Sequence, residues 1–168
     1  MYRVLMTHIR LYKPSDLPAL YKINQAGVPG VGSEDSAEGL KRWIDLSTCL
    51  VAADGQGKPA GFITLIEAAT MAYTSANLRW CEANCDDFIY VDRIAVSETM
   101  RSQRLGQKLY EAAFESFAGR YSRITCEVNK LPPNPGSMRF HERLGFGVIG
   151  ERSYDEGRKA VLYYARPL

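Results

Sequence analysis

The sequence predicts an α+β fold in which a mixed, mainly antiparallel central sheet carries helices on both faces. Three observations predict it. Strand-like and helix-like patterns follow one another in the irregular order β-α-α-β-β-β-α-β-α-β-β, which does not suit a purely parallel sheet. The segments Asp54-Gly55-Gln56-Gly57-Lys58-Pro59 and Asp155-Glu156-Gly157 read as hairpin turns between strand pairs. The run Phe88 to Val96 is apolar on both faces except at Asp92 and Arg93, the pattern of a central strand covered from both sides.

The elements follow in order. His8 to Tyr12 forms a short first strand, and Ser15 or Asp16 is placed to cap a helix running to about Gln25. Residues 27–35 are rich in glycine and read as a loop before a second helix, Ala37 to Leu46. Leu50 to Ala53 and Ala60 to Glu67 are the strands of the first hairpin. Thr70 to Asp86 lies where a tight turn would suffice; Ser75 can cap a short helix carrying Trp80, and such an insertion is expected to wall a site. Leu105 to Phe117 is amphipathic, with Leu105, Leu109, Ala112, Ala113 and Ser116 on one side and Gln107, Lys108, Glu111 and Glu115 opposite. Ile124 to Val128 is a strand, and Pro135 to Leu144 a short helix that Gly145 ends in a left-handed cap. Strands Gly147 to Ser153 and Lys159 to Arg166 complete the chain.

No repeat or Pro/Gly/Ser-rich linker divides residues 1–168, so a single domain is expected. The composition, 46% hydrophobic and 24% charged, is that of a chain that buries a core. No run approaches the ~20 apolar residues of a membrane span, and the first ten residues lack the pattern of a secretory signal, so a cytoplasmic protein without a membrane partner is expected, as monomer or homodimer. A net charge of +2, with Arg101, Arg104, Arg120, Arg123 and Lys130 interrupted by Glu98, Glu111 and Glu115, argues against a nucleic-acid track. The four cysteines, Cys49, Cys81, Cys85 and Cys126, show no CxxC pairing and no His cluster accompanies them. Reduced, half-buried thiols and no metal site are expected.

The chemistry-bearing stretch runs from Asp92 to Lys108. A buried strand ends at Val96, a short loop follows, and a helix opens at Leu105 with Arg101, Arg104 and Lys108 gathered at its start. The helix dipole disfavours cations there by about 0.3–1 kcal/mol each. A bound polyanion would compensate, because backbone N–H groups and basic side chains at a helix start hold phosphate oxygens together. The pattern lacks GxxxxGK[ST], and Gly106 stands without the other glycines of a dinucleotide fingerprint. A merely solvated basic patch is the alternative.

Arg101-Ser102-Gln103-Arg104-Leu105-Gly106 resembles the [Q/R]-x-x-G-x-[G/A] motif of the GNAT superfamily of N-acetyltransferases, with Arg104 in place of the first glycine. Asn134-Pro-Gly-Ser137-Met-Arg-Phe140-His141-Glu-Arg-Leu-Gly145-Phe146 resembles the family's N-x-x-[A/S]-x-x-[FL]-Y-x-x-x-G-F segment, with His141 where tyrosine is usual. The resemblance implies acetyl-CoA as cosubstrate, without a metal, bound by Ile94, Ala95, Val96, Arg101, Ser102, Gln103, Arg104, Leu105, Gly106, Gln107, Asn134 and Ser137. It implies transfer of the acetyl group to an amine, on a small molecule or on a protein or peptide, by direct attack on the thioester. A non-catalytic CoA-binding regulatory module on the same fold is the alternative.

An amine must lose its proton before it attacks, since a lysine-type ammonium has a pKa of about 10.4. Asp92 and Glu127 are the candidate bases; for Asp92 the competing reading is a structural ion pair involving Arg93. By the resemblance, backbone N–H groups of Ile94 to Val96 stabilise the oxyanion. His141 is the candidate acid for the departing thiolate: an imidazole of pKa about 6.5 is roughly a quarter protonated at pH 7. Glu34, Asp35 and Glu38 make the loop before the second helix acidic, which suits a cationic acceptor.

Overall fold

The computed structural model describes residues 6–168. Its elements run β1 (His8–Leu11), α1 (Leu17–Ala26), α2 (Ala37–Asp45), β2 (Thr48–Ala53), β3 (Pro59–Glu67), α3 (Ala76–Asn84), β4 (Phe88–Val96), α4 (Leu105–Phe117), β5 (Arg123–Leu131), α5 (Pro135–Arg143), β6 (Gly147–Tyr154) and β7 (Lys159–Pro167). Short 3-10 turns precede α1 and α4. The strand order is β1-β2-β3-β4-β5-β7-β6. The β4–β5 ladder is parallel, and the β1–β2, β2–β3, β5–β7 and β6–β7 ladders are antiparallel. The α+β class with a mixed, mainly antiparallel sheet is therefore observed.

The chain forms two compact units, each assembled from two stretches of sequence. One takes the chain up to Ile66 together with Asp92–Ser116; the other takes Glu67–Val91 and Phe117–Leu168.

In the first unit, α1 and α2 present Leu17, Leu20, Ile23, Leu40 and Ile44 to Cys49, Val51, Phe62 and Ala95, and all nine are buried. Removing such side chains from water contributes about 1.5–3 kcal/mol each. The Ser36 hydroxyl caps α2 by accepting from the Gly39 amide at 3.1 Å. Asp16 occupies the N-cap position of α1 without a side-chain cap bond. Its carboxylate is taken instead by the Arg10 guanidinium at 2.7 and 2.8 Å and the Lys13 amide at 2.8 Å. The β2–β3 turn is closed by Asp54 Oδ1, which accepts from the amides of Gln56 and Lys58 at 2.9 Å each. β3 runs close to the end of β4: a side chain at Gly61 would place its Cβ 3.0 Å from the Ala95 carbonyl.

In the second unit, Phe88, Ile89, Ile124, Tyr163 and Tyr164 are at most 3% exposed. Ser75 caps α3, accepting from the Leu78 amide at 3.2 Å, as its position predicts. This helix is the one element added to the expected order. The β6–β7 turn holds Asp155, Glu156 and Gly157 all at positive φ. Gly145 ends α5 at φ +88°, the left-handed conformation expected of it. In the first unit, Ser116 of α4 is exposed, while Tyr110 completes the buried stripe with Leu105, Leu109 and Ala113. The polar side of α4 thus includes Ser116.

Candidate active site

Within the first unit, Ile94, Ala95 and Val96 are the last three residues of β4, ahead of a 3-10 segment, Glu98–Gln103. That segment ends on Arg104, which adopts φ +55° and ψ +30° and hands the chain directly to α4. This is the conformation that glycine takes most cheaply, and it explains physically why the resembling motif places glycine there. The Arg104 side chain is exposed. Arg101 is also exposed and lies 3.5 Å from the Glu98 carboxylate, an ion pair that is itself exposed. Gln103 donates to Met100 Sδ at 3.3 Å. Ser102 lies within the 3-10 segment, and Leu105, Gly106 and Gln107 are the first turn of α4. Lys108 donates to the Thr7 hydroxyl at 2.8 Å, so this cation is tethered to the start of the described chain. Exposed guanidinium groups beside the amides of a first helical turn are a donor set that suits a phosphate-bearing anion.

Asp92 and Arg93 share a buried node in the same unit. Arg93 Nε donates to the Asp92 carboxylate at 2.7 Å, its Nη1 to Asn24 Oδ1 at 3.1 Å and its Nη2 to the Glu34 carboxylate at 3.2 Å. The Arg93, Asp92 and Glu34 side chains are only 7%, 8% and 13% exposed. Asp92 is therefore engaged in the ion pair that stood as the alternative to a base. The arginine curls back across its own strand to reach it. Glu34, one of the three acidic residues expected to face a cationic acceptor, is instead paired with Arg93 inside the unit. Sequence reasoning did not name Asn24 or Glu34 as partners; a buried arginine's need for acceptors was the available signal, but not its address.

In the second unit, β4 and β5 pair through Phe88–Tyr90 and Arg123–Thr125. Tyr90, completely buried, donates its hydroxyl to the Glu127 carboxylate at 2.5 Å. Glu127 stands directly opposite Tyr163 on β7. The Tyr163 ring stacks on Trp80 of α3, centroids 3.8 Å apart and planes at 2°. Arg152 of β6 donates to the Tyr163 hydroxyl at 2.9 Å and to Asn77 of α3 at 2.8 Å, and Tyr163 donates to the same Asn77 oxygen at 2.8 Å. None of Asn77, Gly150, Arg152 or Tyr163 was singled out from sequence, because each contact joins distant segments.

On α5, Asn134 and Ser137 act locally. Asn134 Oδ1 accepts from the Ser137 amide at 3.3 Å, the N-cap of the helix. The Ser137 carbonyl accepts from His141 Nδ1 at 2.8 Å, which places the proton of the neutral ring on Nδ1. His141 is only 4% exposed, against Phe146 and Tyr164. Burial lowers its pKa below the ordinary 6.5, partly offset by the bond to Ser137. Burial thus holds the protonated fraction of this ring at pH 7 below that of a free imidazole.

All four cysteines are free and buried. Burial pushes the thiols of Cys49 and Cys81 up to about 12, so both stay protonated at neutral pH. Among the described residues no group of three His, Cys, Asp or Glu side chains is arranged to hold a metal ion, and no helix is long and apolar enough to cross a membrane.

The family model described as "Acetyltransferase (GNAT) family" matches residues 17–146. No curated protein gives a significant sequence match. Similar solved structures include the ribosomal-protein-S18-alanine N-acetyltransferase of Escherichia coli, 21% identical, TM-score 0.73, covering 96% of this chain and 94% of the other. Ard1 of Thermoplasma volcanium is 19% identical, TM-score 0.74, with 96% and 97% covered. A GNAT family acetyltransferase of Elizabethkingia anophelis, solved with acetyl-CoA bound, is 14% identical, TM-score 0.69, with 96% and 98% covered. At these identities the likeness shows the fold.

Proposed function

Because the chain belongs to the acetyltransferase (GNAT) family, we propose that it moves an acetyl group from acetyl-CoA to an amine by direct attack of the amine on the thioester. The observation that carries this reading is the left-handed Arg104 joining the 3-10 segment to α4, with Arg101 exposed beside it. Arg101, Arg104 and the first-turn amides of Leu105, Gly106 and Gln107 would hold the pyrophosphate. Ile94 to Val96 would run beside the pantetheine arm, with their backbone N–H groups serving a developing oxyanion. The cosubstrate supplies an activated acyl group and a thiolate leaving group of pKa about 8.5 by analogy with cysteine.

Glu127 takes the amine proton in this reading. It is partly exposed and held at one oxygen by Tyr90, whereas Asp92 is bound to Arg93. Asn134 and Ser137 set the start of α5 and so position His141. His141 serves the departing thiolate as the imidazolium, a minority form because burial lowers its pKa. The limb it contributes to the rate profile lies below pH 6.5.

The test is calorimetry with CoA and acetyl-CoA, followed by thiol release from acetyl-CoA in the presence of primary amines and of peptides with free N-termini. Binding and amine-dependent thiol release are expected. Binding without release for any amine would leave a CoA-binding module instead of an enzyme, and absence of binding would remove the reading altogether.

A further inference from the structure

The insertion before β4 is fixed in place by contacts within the second unit that no folding need of a tight turn would require. Trp80 of α3 lies flat on Tyr163 at 3.8 Å and 2°. Its outer edge meets β6 at Gly150, where an added Cβ would fall 2.4 Å from both Cη2 and Cζ2 of the indole. Residue 150 must be glycine for this pose, since real Cβ atoms essentially never approach so closely. Arg152 and the Tyr163 hydroxyl each donate to Asn77 Oδ1 at 2.8 Å, and Arg152 donates to the Tyr163 hydroxyl at 2.9 Å, tying α3 to β6 and β7. An indole stacked on Tyr163 and clamped at its edge by Gly150 is held in one orientation, yet Trp80 stays partly exposed.

Glu127 shares this face. It is the direct cross-strand partner of Tyr163, and such partners project to the same side of a sheet with Cβ atoms about 4.5–5.5 Å apart. Its charge acts on the Tyr163 phenol and on the Cys81 thiol of α3. The same patch of sheet therefore carries a carboxylate and, on the neighbouring tyrosine, a rigidly held aromatic plane. A carboxylate takes the N–H groups of an ammonium, while an aromatic plane takes an apolar stem and attracts the cation by its quadrupole.

Resting on the acetyltransferase reading, we infer that Trp80 is a specificity-determining residue: with Glu127 it forms an acceptor subsite for primary amines borne on an aromatic or long aliphatic stem. Gly150 and Arg152 are positioning residues that act through the indole. The stem can belong to a free amine or to the first residue of a peptide, and the chemistry recognised is the same.

The experiment compares phenethylamine, hexylamine, ethanolamine and a tetrapeptide with N-terminal phenylalanine. Binding of each is measured by calorimetry, and kcat and KM with acetyl-CoA, for the wild type and for Trp80→Ala, Trp80→Phe, Gly150→Val and Arg152→Lys. The wild type is expected to prefer phenethylamine and hexylamine over ethanolamine by tenfold or more. Trp80→Ala and Gly150→Val should erase that preference through KM and amine affinity, with the affinity for CoA unchanged, and Trp80→Phe should keep most of it. Arg152→Lys should weaken it by a smaller factor. Whichever of phenethylamine and the peptide has the higher kcat/KM identifies the source of the stem. Equal binding of phenethylamine and ethanolamine by the wild type, or an unaltered preference in Trp80→Ala, overturns the inference. Amine binding is read without turnover, so a protein that selects the stem but binds no CoA would defeat the acetyltransferase reading and not this one.

Discussion

The hydroxyl of Tyr90 on β4 donates to the carboxylate of Glu127 on β5 at 2.5 Å, across the parallel ladder of the second unit. A hydrogen bond to a charged acceptor fixes the carboxylate's orientation and contributes about 1.5–3 kcal/mol. Glu127→Gln keeps the shape and an acceptor oxygen but removes the basic lone pair. Turnover is expected to fall about 10²-fold or more, with CoA affinity unchanged. Tyr90→Phe should lower stability by roughly the value of the lost bond and reduce turnover less. Steady-state rates and calorimetry decide; a Glu127→Gln protein as fast as the wild type would take the base role away from this residue.

Arg104 occupies a conformation in which a side chain costs about 1–2 kcal/mol. Arg104→Gly is therefore expected to stabilise the protein by about 1 kcal/mol, an increase of ~2–4 °C in Tm for a chain of this size. The same variant loses one cation, so CoA binding should weaken modestly. Arg101→Glu and Gly106→Glu place charge against the phosphates and should each weaken CoA binding tenfold or more, about 1.4 kcal/mol. Calorimetry that found both unchanged would move the pyrophosphate elsewhere. A fall in Tm for Arg104→Gly would mean that the arginine side chain holds the turn by contacts stronger than the strain.

These two sites differ in how far they were legible. The turn into α4 is local: Val96, Arg104 and Leu105 are near in sequence, so spacing and charge announced it, and only the backbone angle of Arg104 needed the structure. The Ser75 cap was legible for the same reason, since its partner Leu78 is three residues away. Asp16 shows the opposite. Its spacing matched a cap, but Arg10 competes for the carboxylate and wins with two short charge-assisted bonds. The Trp80, Gly150 and Arg152 lock is invisible to local pattern, because it depends on the register that brings β6, β7 and α3 together. The burial of His141 likewise depends on Tyr164 of β7, which no motif on α5 reports.

Arg93 tests the buried node of the first unit. Its guanidinium serves Asp92, Glu34 and Asn24 from a side chain 7% exposed. Arg93→Met would leave two nearly buried carboxylates without their common cation, a loss of about 3–5 kcal/mol. Asp92→Asn keeps a hydrogen-bonding oxygen and should cost less. Thermal or urea unfolding measures both. If Asp92→Asn left stability intact and abolished turnover, Asp92 would be the base and the ion pair incidental.

His141 joins stability to the rate profile. Its folded pKa is depressed by burial from the ordinary 6.5, so between the two values the unfolded chain binds more protons than the folded one. Stability is then full above about pH 6.5, falls as pH drops below it, and levels off once pH passes the folded value. His141→Tyr should flatten that slope, measured as Tm from pH 7 to pH 5 beside the wild type. The catalytic consequence has the same origin. As imidazolium the residue can pass a proton to the thiolate, so its rate limb declines as pH rises through the lowered pKa, against the rising limb of a base such as Glu127. His141→Ala, assayed below its own Tm, is expected to lower turnover about 10²-fold with CoA affinity nearly unchanged. His141→Tyr, which restores a proton donor at the position, should recover part of that loss and remove the decline below pH 6.5. Wild-type turnover in His141→Ala from pH 6 to pH 9, with the stability slope still abolished, would assign the ring to packing against Phe146 and Tyr164 and leave the thiolate to be protonated by water.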